Sequence, residues 1–222
     1  MLRTFLLLPA LALAACSRPA PPAPIDHAGL AAAWASWTAS RDSLFRTGDS
    51  PLPPAAREAF EGLPYFAYDS SAAVSAALVP AMVEETARFP TSTGEMRPMP
   101  VAGQIVFELA GTERRLMAYQ AVGPDGQPST GLFVPFRDPT SGRTTYGGGR
   151  YLDLDGRPDA DGRIVVDFNR AYHPYCVYND AFSCPLPPAE NALAVAVEAG
   201  ERLAEGLSTN AGTESVDPAP AD

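Results

Sequence analysis

Residues 105–121 read IVFELAGTERRLMAYQA, and the fold turns on how this stretch is paired. Ile105 to Leu109 and Arg114 to Ala121 alternate apolar and polar side chains, and Gly111-Thr112 lies between them, so the segment predicts a β-hairpin. A period of two puts one row of side chains on a buried face and the other row on the opposite face. Downstream, Leu132 to Phe136 predicts a short apolar strand closed by the turn residues Asp138, Pro139, Ser141 and Gly142. Tyr151 to Leu154 and Ile164 to Phe168 predict a further strand pair across an acidic, glycine-containing connection. Leu193 to Val197 fits a last strand or a short helix, since its alanines serve either. Short strands separated by turn signals imply a mainly β (α+β) fold, an antiparallel barrel- or sandwich-like sheet.

Upstream the period changes. Asp26 is placed to cap a helix in which Ala33, Trp34, Trp37, Leu44 and Phe45 recur at helical spacing from Leu30 onward, with Gly48 positioned to end it. The two tryptophans are expected to dock this N-terminal helix on the sheet. A proline-rich turn at Pro51 to Pro54 leads into a short helical stretch from Arg57 and then the extended FEGLPYFAY, residues 60–68.

The 222 residues carry 16 basic and 26 acidic groups, a net charge of -10. Every basic residue is Arg, which excludes Schiff-base lysine chemistry and a Walker A lysine. Without a basic stripe, the chain also lacks the electrostatic footprint that nucleic acid binding requires. Residues 1–15, MLRTFLLLPALALAA, hold one basic residue, Arg3, and an apolar run shorter than the roughly 20 residues of a membrane span, the pattern of a secretory signal. Leu13, Ala14 and Ala15 before Cys16 resemble the bacterial lipobox. That resemblance implies lipidation at Cys16 and a lipid anchor as the membrane partner. Ser17 in place of Asp favours the outer membrane, facing the periplasm. The expected organisation is a signal peptide at 1–15, a lipidated cysteine and proline-rich tether at 16–25, one globular domain at 26–206 and a disordered tail at 207–222.

Candidate chemistry crowds between Thr144 and Glu201. His27 lies beside the tether, so a histidine relay would have to use His173. No GxSxG, HExxH or GxGxxG is present, and no cofactor is implied. A hydrolase would use Asp167, His173 or Glu190 as general base, with Asn169, Tyr172 and Asn191 orienting a small ligand and Arg150 holding its anionic group. The competing reading has Asp167, Asn169, Glu190 and Asn191 satisfying buried backbone groups. Convergence on one concave pocket would favour the first, and separate packed layers the second.

Cys176 and Cys184 form an even pair in an oxidising compartment and are expected as a disulfide, worth roughly 2.5 kcal/mol by loop closure. Two free buried thiols remain open, as does zinc held by His173, Cys176, Cys184 and Asp180 or water; no metal site is assigned. Gly147 to Gly149 beside Arg150 would make an anion nest or a sharp sheet bend. The aspartates of residues 153–162 depart from a calcium loop and predict a solvated acidic connection.

The run from Asp167 to Asn191, DFNRAYHPYCVYNDAFSCPLPPAEN, resembles the uncharacterised bacterial domain-of-unknown-function 1684 family, over roughly Trp37 to Glu201. This resemblance implies no particular activity. The expected function is a membrane-anchored envelope lipoprotein with a small-ligand-binding or structural domain, the alternative an envelope hydrolase built on the Asp167 to Asn191 region.

Overall fold

The computed structural model describes residues 24–122 and 128–204. The expected signal segment 1–15, Cys16, the expected tether up to residue 23 and the expected tail from 207 lie outside the described residues. Helix α1 spans His27–Arg46, with the Asp26 side chain accepting from the Gly29 amide at 2.9 Å and Arg46 in the last turn. Its tryptophans, expected on the sheet, pack on the extended segment 60–68. Trp34 packs on Tyr65 and Tyr68, Trp37 on Tyr65, and Phe45 is fully buried. Helix α2 is a single turn, Pro54–Glu58.

Seven strands follow: β1 (Ala73–Pro80), β2 (Thr86–Pro90), β3 (Met96–Leu109), β4 (Thr112–Val122), β5 (Pro128–Phe136), β6 (Arg150–Asp155) and β7 (Arg163–Asp167). They form one antiparallel sheet in the order β6-β5-β4-β3-β1-β7, with β2 added beside β3. The expected hairpin is β3–β4, with a turn one residue earlier than anticipated. Ala110 (φ 53°) and Gly111 (φ 71°) make the two-residue loop, and Thr112 already pairs with Leu109. Positive φ at both turn residues matches the right-handed twist of the flanking strands.

Strand β3 is long enough to serve two partners on one edge. Residues 96–100 pair with β2 and residues 103–107 with β1, and a bulge between Val101 and Gly103 separates the halves. Gly103 is required there, because a Cβ would lie 2.3 Å from the Val79 carbonyl oxygen. The alternation works as read. Ile105 and Phe107, Leu116 and Ala118, Leu132 and Val134, Leu152 and Leu154, and Ile164 and Val166 fill one interior cluster.

β6 and β7 are not the strand pair the sequence suggested. They are the two ends of the sheet, β6 bonded to β5 and β7 to β1, so that curling brings the ends together into a nearly closed barrel. The free edge of β6 instead takes Tyr172, whose backbone exchanges hydrogen bonds of 2.9 and 3.0 Å with Tyr151. Leu193 to Val197 is neither strand nor helix. Its backbone is held piecemeal, Leu193 N–H on the Arg137 carbonyl (2.8 Å) and Val197 N–H on the Asp138 carboxylate (2.7 Å). Glycines 147–149 form a turn into β6, where a Cβ on Gly149 (φ 95°) would meet Phe136 O at 2.6 Å.

Candidate ligand groove

Because side chains alternate along a strand, the residues between the core positions of β5 and β6 face the other way. Phe133, Tyr151 and Asp153 therefore line a groove on the sheet's second face. Strand β3 adds Arg97 and Met99, β4 adds Gln120, α1 adds Arg41, and the loop after Tyr172 adds Tyr175, Phe182, Ser183 and Cys184. The groove has a volume of about 760 Å³ and is mainly apolar. Its aromatic walls brace one another edge to face: Phe133 on Tyr151 at 4.7 Å, Tyr151 on Tyr172 at 5.7 Å, Tyr175 on Phe182 at 5.3 Å. Such contacts fix ring orientation as well as burying area. Tyr151 is further held by its hydroxyl, which donates to the Pro185 carbonyl at 2.5 Å.

Arg41 reaches the groove from inside the apolar stripe of α1. Its guanidinium lies over Tyr172 at 4.8 Å and over Trp37 at 5.3 Å, with the side chain 11% exposed. Nε donates to Glu201 Oε1 at 2.5 Å, while Nη2 is buried with no hydrogen-bond partner. Glu201 is fully buried, and its second oxygen accepts from the His173 amide (2.7 Å) and the Tyr178 hydroxyl (3.3 Å). Burial pushes its carboxyl pKa up, opposed by Arg41 and the bonds from His173 and Tyr178. At the floor, Tyr172 OH donates to Asp153 Oδ2 at 2.8 Å. Asp153 is reachable by solvent but hemmed in by protein, which raises its pKa against the pull of Tyr172, Arg41 and Arg170. Arg97 is exposed at the rim, with Nη2 donating to Ser183 O at 2.8 Å.

Of the catalytic and ligand-binding candidates singled out from sequence, Tyr172 alone lines this groove, joined there by Cys184 of the expected disulfide. Arg150 was expected to hold an anion. It is fully buried instead, donating to the carbonyls of Val197 (2.7 Å), Ala199 and Glu201 (3.4 Å) and to Asp138 (3.3 Å), and so clamps the C-terminal segment to the barrel. Asp167 caps the short turn at Phe168–Arg170 through the Asn169 amide. Asn169 bonds both backbone groups of Asp69 at 2.8 Å, and Asn191 bonds both of Met117 as well as Pro135 O. These asparagines stitch loops to strands, the structural role the sequence offered as the competing reading. Glu190 is exposed and does not line the groove.

His173 is buried, with Nε2 accepting from the Tyr146 amide at 3.2 Å, and desolvation plus the charges of Arg150 and Arg41 hold its pKa well below 6.5. The imidazole is therefore neutral and occupied by structure. The expected disulfide is not formed. Cys176 and Cys184 are free and buried, with the Cys176 amide donating to Cys184 Sγ at 3.3 Å. Donors from Cys184, Ser92 and Tyr146 draw the Cys176 pKa down, whereas the hydrogen bond to Cys176 and burial raise that of Cys184. Among the described residues no three His, Cys, Asp or Glu side chains gather to hold a metal, so the zinc alternative finds no ligand set.

Sequence reasoning passed over Arg41, Arg97, Asp153 and Glu201. Arg41 did carry a signal: it stands four residues from Trp37 and four from Phe45, a charge within the helix's apolar stripe. Asp153 was grouped with the acidic connection that follows it. There Asp155 is fully exposed and pairs with Arg157, and Asp159 accepts the amides of Asp161 and Arg163 at 2.9 Å.

A solved solution structure of an uncharacterised protein from Haloarcula marismortui is similar, at 38% identity and a TM-score of 0.64, covering 80% of this chain and 96% of that one. No curated protein matches. The family described as "Protein of unknown function (DUF1684)" matches residues 58–202, which take in all seven strands, the groove's aromatic walls and Glu201, but not α1. On that match, over more than half of its length, the chain belongs to this family.

Proposed function

We propose that the protein is a lipid-anchored lipoprotein of the bacterial envelope that binds a small ligand in the groove beside Tyr172. The observation that supports binding is a cavity of about 760 Å³ with braced aromatic walls and an arginine whose Nη2 has no protein partner. Pockets of this size, mostly apolar with a few placed polar groups, suit one drug-sized molecule. The anchor rests on the N-terminal sequence, with Cys16 as the lipidated residue and residues 16–25 as the spacer from an outer membrane facing the periplasm. Among the described residues no helix is long and apolar enough to cross a membrane. A hydrolase on Asp167, His173 and Glu190 lacks comparable support, because those side chains occupy three separate surroundings.

Expression of the full chain and of Cys16→Ser, followed by fractionation and intact-mass measurement, tests the anchor. The wild type is expected in the membrane fraction with the mass of added acyl chains, and the variant without them. Equal partitioning of both would overturn the anchor. In that oxidising compartment the free thiols of Cys176 and Cys184 would pass two electrons and two protons to a disulfide-exchange oxidant and close the bridge within their short loop. Thiol titration of protein purified without reductant should find neither cysteine reactive after denaturation, and both after reduction. Two titratable thiols in the oxidised preparation would sink the bridge.

A further inference from the structure

We infer that the groove takes a small organic anion with a flat apolar body, an aryl or arylalkyl carboxylate or sulfonate. This rests on the groove being a ligand site, as proposed above, and goes on to assign the ligand's charge and shape. Shape follows from the walls. Phe133, Tyr151, Tyr172, Tyr175 and Phe182 are locked against one another or the backbone, which leaves ring faces and edges for a planar guest.

Charge follows from unmet hydrogen-bonding capacity. Two guanidinium groups line the groove, and each carries five donors in a planar fork that matches a carboxylate or sulfonate. Arg41 gives Nε to Glu201 and leaves Nη2 without a partner. Arg97 gives one donor to Ser183 O and, among the described residues, makes no ion pair. The acceptor side is half occupied. Asp153 is the one carboxylate among the described lining residues, and Tyr172 OH is bonded to it. The charges of Arg41 and Arg170 already act on Asp153 as counter-charges, which weakens its claim on a cationic guest. A guest bringing acceptors therefore meets the exposed Arg97 fork at the rim and reaches Arg41 Nη2 only by displacing the packing that buries it, whereas an ammonium would meet the charge of Arg97 first. Since the whole chain carries -10, attraction must come from these local donors rather than from the overall field.

Isothermal titration of the full-length Cys16→Ser protein with 2-naphthoate, 2-naphthamide and 2-naphthylmethylammonium tests the assignment, since the three share a body and differ in charge. Naphthoate is expected to bind at least about tenfold tighter than the amide, the scale of hydrogen bonds to charged groups, with the ammonium weakest. Arg97→Gln, on an exposed strand position, should remove most of the naphthoate advantage and leave the amide unchanged. Phe182→Ala should weaken naphthoate and amide alike. Equal binding of the acid and the amide, or a naphthoate affinity indifferent to Arg97→Gln, would overturn the anion assignment while leaving the groove a ligand site. If none of the three binds, the anion assignment and the ligand-site reading fall together. An unaltered affinity in Phe182→Ala would place the probe outside the groove and overturn the assignment as well.

Discussion

Glu201 shows how a single side chain ties separate parts of the chain together. It lies at the C-terminal end of the described residues, is fully buried, and joins α1 through Arg41 to the Tyr172 segment through the His173 amide. A buried ion pair adds little net stability over an apolar pair, yet removing one partner leaves a charge with no compensation. Glu201→Gln is thus expected to destabilise the fold by about 3–5 kcal/mol in urea unfolding, with Arg41→Met in the same chain restoring a large part of the loss. If the double variant is as unstable as the single one, the cost lies in the Glu201 packing rather than in an orphaned Arg41. Arg150 differs in kind. Its donors end on backbone carbonyls and Asp138, which explains why a residue flanked by three glycines looked like an anion site in sequence and is a clamp in space.

Among the elements, the β3–β4 hairpin was the most legible, because a period of two over both arms has no helical equivalent. Its loop still carries strain. Ala110 sits at φ 53°, where a Cβ crowds the following carbonyl at a cost of roughly 1–2 kcal/mol, and Asn tolerates this region better. Ala110→Asn makes the favoured Asn-Gly turn and should raise stability by about 0.5–1 kcal/mol in denaturant unfolding. A loss of stability would mean that the turn is set by the strands alone. The less legible elements share a physical cause. β1 is rich in alanine and β2 is five residues long, so neither displays much periodic apolar contrast, and both are specified by the β3 edge they pair with. Strand β6 was expected to bond β7 because they are neighbours in sequence. Tyr172 occupies the edge of β6 instead, and the two strands end up at opposite ends of the sheet.

The whole molecule titrates through its buried groups. His173 is neutral in the fold, with its pKa well below 6.5, whereas in the unfolded chain it protonates near the ordinary value. Above pH 6.5 both states are neutral and this term is silent. As the pH falls below 6.5 the unfolded state binds a proton that the folded state refuses, so stability drops by up to about 1.4 kcal/mol per pH unit. Glu201, with its pKa raised, acts in the opposite sense, since its folded form takes up a proton sooner than the unfolded chain. Urea unfolding between pH 6.5 and 5 should therefore show a decline that is flattened in His173→Gln. An unchanged slope in that variant would assign the decline to other groups.

Composition and spacing alone determined that the chain is acidic without lysine, that a capped amphipathic helix precedes the domain, and that an antiparallel β fold follows. These are local or additive properties, written in neighbouring residues and in periods of two and 3.6. The groove is of another kind. Arg41, Arg97, Asp153, Tyr172 and Phe182 come from a helix, two strands and a loop, and they share one surface only because the sheet curls and Tyr172 pairs onto its last strand. Sequence proximity drew attention to Asp167, Asn169, His173 and Asn191, which the fold turns inward to satisfy its own backbone. Long-range strand order decides which side chains meet, and tertiary packing alone sets that order.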